Sequence, residues 1–166
     1  STAAADVPAL RLQVDLSDRE LRVMSGDTLV RTYEVAIGTR SHPTPQGIYR
    51  IDSVIWNPWW GPPDRDWARG KRRMPPGHPR NPMQVVKIPF DAPYYYIHGT
   101  DRPGSVGKAA SHGCVRMRPD EAAELARLLM DHAGEIRDDE WYEEIRESDD
   151  TTEVELPRSV EIVIVD

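Results

Sequence analysis

Two short stretches hold the groups able to do covalent chemistry: "YYYIHGT" at residues 94–100 and "SHGCVRM" at residues 111–117. Cys114 is the only cysteine, so it is the only thiol and no disulfide within one chain can form. If residues 111–117 run as an extended strand, His112, Cys114 and Arg116 share one face, with Gly113, Val115 and Met117 on the other. The thiolate is the nucleophilic form of cysteine, and nearby imidazolium or guanidinium groups lower a thiol pKa, so that face reads as an activated nucleophile. The competing reading is an inert core sulfur, the commoner fate of a free cysteine.

Spacing leaves two histidines as the base: His112, a neighbour along the strand, and His98, able to come alongside across a sheet. Gly113 lets the backbone approach a ligand closely, and the amides leading towards Pro119 can stabilise an oxyanion; a bulge glycine is the plain alternative. His98, His112 and Cys114 together offer three zinc ligands, but no HExxH or paired CxxC accompanies them, so no metal is expected. His42 and His78 stand among prolines in polar loops and read as surface residues without a role.

These groups need a scaffold, and the surrounding pattern supplies mostly strands. The run "LRLQVDLSDRELRVMSGDTLVRTYEVAIG" alternates apolar and polar residues between turn signals, which predicts strands near 10–16, 20–25 and 29–37. A fourth strand follows "TPQG", with Ile48, Arg50, Asp52 and Val54 on one face and Tyr49, Ile51 and Ser53 on the other. "MQVVKIPF" and "YYYIHGT" read as two more, split by the turn "DAP".

The clearest helix is "RPDEAAELARLLMDHAG". Pro119 suits the first helical position, Asp120 and Glu121 the positive end, and Gly134 the stop; Ala122, Leu125, Ala126, Leu129 and Met130 form its apolar stripe. The acidic stretch 135–150 predicts a second helix with Trp141 and Ile145 inward, and "SVEIVIVD" a closing strand. Residues 57–82, rich in Pro, Gly and Arg, carry Trp59, Trp60 and Trp67 and read as a folded flap, because large aromatic surface tends to be buried or to hold something.

The totals bound the class. A length of 166 residues suits one domain, and a formal charge of −7 argues against nucleic-acid binding driven by a basic surface. No apolar run approaches the roughly 20 residues that span a bilayer, and "STAAADVPAL" has neither a charged n-region nor an h-region, which predicts a soluble domain.

The pair "IHGT" and "SHGCVRM" resembles the active-site signature of the L,D-transpeptidase (YkuD-like) catalytic domain, a family of cysteine acyltransferases acting on bacterial peptidoglycan. The opening strands with "TPQG", and "NP" at 57–58 and 81–82, extend the likeness over roughly residues 10–134, while "NPMQ" departs where many relatives carry Gly. The resemblance implies a mainly β fold, a sandwich or mixed sheet with one helix after the cysteine. It also implies a single domain over 1–166, with 57–82 as an insert and 135–166 as acidic helix plus closing strand.

By the same resemblance Cys114 is the nucleophile, His98 the base, and the Gly99 carbonyl orients the imidazole. Amides around Gly113 and Cys114 form the oxyanion hole, Ser111, His112 and Thr100 shape the pocket, and Arg116 grips a carboxylate. The flap is not a fixed element of the family; its tryptophans alone suggest that Trp59 and Trp60 cover the site, with a small satellite hydrophobic cluster as the plain alternative. The implied partners are peptidoglycan stem peptides, donor and amine acceptor, in the bacterial envelope. No cofactor, metal or nucleic acid is implied, and a monomer is the default expectation. A hydrolase on the same scaffold and a silent wall-binding module are the rival classes.

Overall fold

The computed structural model describes residues 9–166; the reading of the chain's first eight residues lies outside the described residues. Ten strands and two helices follow in chain order. The strands are β1 (Leu10–Asp15), β2 (Glu20–Ser25), β3 (Thr28–Glu34), β4 (Ile37–Gly38), β5 (Gly47–Trp56), β6 (Gln84–Asp91), β7 (Tyr95–Gly99), β8 (Ala109–Ser111), β9 (Val115–Met117) and β10 (Thr152–Val165). The helices α1 (Pro119–His132) and α2 (Asp139–Glu147) lie between β9 and β10.

Eight strands form one mixed sheet in the order β3-β2-β1-β10-β5-β6-β7-β9, and β4 and β8 form a small second sheet. The mainly β, mixed-sheet expectation therefore holds. Beyond the sheet's last strand, Ala36 and Arg116 exchange both backbone hydrogen bonds, at 2.8 and 2.9 Å, so the segment after β3 covers the free edge of β9.

Alternation makes these strands as the pattern requires: Leu12, Val14, Leu21 and Val23 are fully buried. β5 departs from strict alternation. Ile51, Val54 and Trp56 are buried while Ile48, Arg50 and Asp52 are exposed, so the predicted shared face of Ile48 and Val54 does not form. The reason lies across the ladder, where Glu155 faces Ser53 and Val160 faces Ile51; the extra β10 residues bulge around Pro157, which has no amide to donate.

α1 is built as its sequence specifies. The five stripe residues are the buried ones, and a Schellman stop closes the helix: Glu135 N–H donates to Met130 O (2.9 Å) and Gly134 takes φ +83°. The helix lies on β6 and β7, where Val86, Ile88, Ile97, Val115 and Met117 meet it in one core.

α2 corrects one expectation. Tyr142, not Trp141, is buried with Ile145; Trp141 is half-buried, its ring edge-on to Trp56 at 6.0 Å. The closing strand is also longer than "SVEIVIVD", because it starts at Thr152. Among the described residues no helix is long and apolar enough to cross a membrane.

Candidate active site

Parallel pairing of β7 with β9 sets the site: Ile97 faces Val115, His98 faces Arg116 and Gly99 faces Met117. One side of these strands feeds the core. The other side, with Tyr96, His98, Cys114 and Arg116, lines a cavity of about 470 Å³ roofed by the 57–82 segment.

The predicted continuous strand over 111–117 is not what forms. β8 ends at Ser111, residues 112–114 turn, and β9 starts at Val115. Gly113 causes the break: it sits at φ +119°, where a Cβ would also run into the Tyr95 ring. Ser111, fully buried, ties the turn together; its Oγ donates to Cys114 O (2.6 Å) and accepts the Gly113 amide (3.1 Å). The Gly113 N–H, one of the amides expected at the oxyanion, is thus already engaged within the turn.

The turn separates His112 from the role of simple strand neighbour. Its ring stacks on Trp67 at 3.9 Å and 6°, and His42 meets it edge-on at 4.9 Å. His42, expected to be an uninvolved surface residue, is exposed but touches the pocket wall through this contact.

His98 is held differently. Its Nδ1–H donates to Gly99 O at 2.8 Å, which leaves Nε2 as the unprotonated nitrogen. Burial pulls its pKa down to about 4, and the charges of Arg116 and Lys87 act in the same direction. Gly99 is required for more than its carbonyl, since a Cβ there would overlap the Gln84 carbonyl oxygen on β6.

Cys114 is half-buried, and its thiol donates to Tyr94 O at 3.3 Å. Burial pushes the thiol up to about 11, outweighing the Tyr96 amide and the Arg116 and Lys87 charges that favour the thiolate. This corrects the expectation that cationic neighbours leave Cys114 with a lowered pKa: they are present, but desolvation is larger. At pH 7 the pair is neutral thiol and neutral imidazole.

The remaining sequence candidates divide. Arg116 is half-buried in the cavity wall, and Trp59 and Trp60 line it. Trp60 is buried and bridges to Met74 through backbone hydrogen bonds of 2.9 and 2.8 Å, while Trp59 is exposed with the Arg73 guanidinium 4.1 Å over its ring. Thr100 does not reach the cavity: it is buried, its amide donates to Met117 O, and its Oγ1 accepts the Arg102 amide. Among the described residues no set of three His, Cys, Asp or Glu side chains is arranged to hold a metal.

Lys87 is the residue that sequence reasoning missed. It lies opposite His98 in the β6–β7 register, half-buried, with burial lowering its pKa and its Nζ 4.8 Å over the Tyr96 ring. A lone lysine in "MQVVKIPF" was the available signal, but its facing residue depends on an irregularity between Gln84 and Lys87. Val85 adopts φ +74° there, a rare conformation for a β-branched residue.

The family model described as the L,D-transpeptidase catalytic domain, YkuD, matches residues 10–155. The chain belongs to that family. A Bacillus licheniformis protein named as an L,D-transpeptidase, YkuD, is 34% identical over 124 residues, 75% of this chain and 62% of that protein. A Bacillus subtilis protein named likewise, YqjB, is 34% identical over 121 residues, 70% of this chain and 64% of its own length. This L,D-transpeptidase domain thus spans less than two-thirds of either relative.

Solved structures share the fold at low identity. The catalytic domain of an E. faecium L,D-transpeptidase aligns with a TM-score of 0.57 at 14% identity, covering 96% of this chain and 99% of that one. L,D-transpeptidase 3 from Mycobacterium tuberculosis, in complex with a faropenem-derived adduct, aligns with a TM-score of 0.57 at 16% identity over 96% of this chain and 61% of its own.

Proposed function

We propose that this domain is an acyltransferase of the bacterial cell envelope, acting on peptidoglycan stem peptides through Cys114 and His98. The observation that carries the reading is the pair itself: a thiol and an imidazole fixed in one tautomer by Gly99 O, both lining one cavity.

Because thiol and imidazole are both neutral at rest, the sulfur must lose its proton as it attacks. The thiol turns from Tyr94 O and passes its proton to His98 Nε2 while Sγ bonds to the carbonyl carbon between the L-centre of diaminopimelate and D-Ala. Arg116 and Lys87 stabilise the developing thiolate charge, and the Cys114 amide faces the oxyanion. The C–N bond then breaks, His98 returns the proton to the departing D-Ala amine, and a thioester remains. An acceptor amine attacks that thioester, its proton passes through His98 to sulfur, and a cross-link results.

Water in place of the amine gives a carboxypeptidase. We read the 57–82 segment, inserted in a single domain spanning 1–166, as the cover that disfavours it, because Trp59, Trp60 and Trp67 all line the cavity.

The test is incubation with tetrapeptide muropeptides and mass analysis. Dimers with released D-Ala are expected, and Cys114→Ala abolishes them. Monomers lacking D-Ala as sole product move the reading to hydrolysis, and an active Cys114→Ala variant refutes it.

A further inference from the structure

The charge of the cavity opposes that of the chain. The molecule carries −7 overall, yet among the described residues its cavity is lined by six cations, Lys71, Arg72, Arg80, Lys87, Arg102 and Arg116, against the single carboxylate of Asp101. None of the six appears in any ion pair among the described residues, whereas Arg22, Arg31, Arg118, Arg127 and Arg146 elsewhere each hold a carboxylate within 3 Å.

The six come from four separate places: the 57–82 segment, β6, the turn after β7, and β9. Their convergence is therefore a property of the tertiary fold and not of one basic run. Lys87 and Arg116 are half-buried beside Cys114, while Lys71, Arg72, Arg80 and Arg102 are exposed. Burial destabilises the charge of both inner residues, which an arriving carboxylate reverses.

Cations converging on one cavity attract anions more strongly than the same charges spread over an open surface. Arginine in particular matches the planar carboxylate with two parallel hydrogen bonds. Neutral amides offer the same shape without the charge.

We propose that this cavity selects an anionic stem peptide, one whose several carboxylates are free, over the same peptide with those carboxylates amidated. The inference rests on the transpeptidase reading for the identity of the peptide, but not on turnover. The flap cations are the outer selector and Lys87 with Arg116 the inner one.

Binding is measured by calorimetry on Cys114→Ala, so that chemistry does not intervene. The two probes are a diaminopimelate-containing tetrapeptide with all carboxylates free and the same peptide with its internal carboxylates as amides. At low salt the free form is expected to bind about tenfold or more tightly, with the gap closing as salt rises, since exposed charges are screened. Adding Arg72→Gln and Arg80→Gln, both at exposed positions, shrinks the preference by weakening the free form more than the amidated one.

Equal affinity for the two probes at low salt, no binding of the free form, or a preference unchanged in the arginine variant overturns the proposal. Turnover by the unmodified protein separates the two readings. Active enzyme without carboxylate preference sinks the selectivity alone, and preferential binding without turnover sinks the transpeptidase reading alone.

Discussion

Cys114 and His98 are uncharged at neutral pH for one shared reason: each is removed from water before it has acquired its partner's charge. For His98 this links to stability. Unfolded, it takes up a proton near pH 6.5; folded, it does so only at about pH 4. Between these values the unfolded chain binds more protons, so stability falls as pH falls, by up to about 3 kcal/mol from this residue alone. Urea unfolding of wild type and His98→Gln between pH 7 and 4 checks it: the wild type should lose stability more steeply, and parallel curves would refute the burial argument. Gly99 gives a second residue-scale expectation. Gly99→Ala places a methyl group on the Gln84 carbonyl and must push β6 from β7, costing about 2–4 kcal/mol in denaturant melts and displacing His98. A variant of wild-type stability and activity would show that the strands yield freely.

The 57–82 segment is anchored at both ends by asparagines. Asn81, fully buried, donates from Nδ2 to Pro58 O (3.0 Å) and Pro75 O (3.1 Å), and its Oδ1 accepts the Met83 amide (2.8 Å). Asn57 donates to Ile145 O (2.8 Å), tying the other end to α2. Few regular backbone bonds hold what lies between, so these side chains decide whether the segment stays closed. Asn81→Ala orphans two carbonyls and an amide, each worth about 1–3 kcal/mol when buried. Faster hydrogen exchange confined to residues 58–80, with a higher ratio of hydrolysis to transfer, is the expected result. Exchange that rises uniformly over the sheet would instead make Asn81 a general stability residue. The "NP" pairs were visible in the sequence, but the carbonyls that Asn57 reaches lie 88 and 93 residues away and no local pattern announces them.

At the scale of the molecule, β10 is the strand that makes one sheet out of two halves. It pairs in parallel with β1 and antiparallel with β5, joining the β1–β3 meander to the β5–β6–β7–β9 half that carries the cavity. Truncation after residue 150 therefore removes the central strand and exposes two edges. We expect loss of the cooperative thermal transition, read by circular dichroism, and a chain that still melts sharply would show that the two halves fold without it.

What the sequence determined by itself is local in origin. The period-2 and period-3.6 patterns place the strands and α1, and the two His- and Cys-bearing motifs carry the family. Only the tertiary structure decided the rest, because each remaining feature depends on residues distant in sequence. Burial among residues brought together by the fold raises the Cys114 pKa, the irregularity at Val85 aims Lys87 at His98, and Trp67 reaches 45 positions along the chain to stack on His112. Burial is a sum over neighbours from the whole fold, and at Cys114 it outweighs the cationic neighbours that by themselves favour the thiolate.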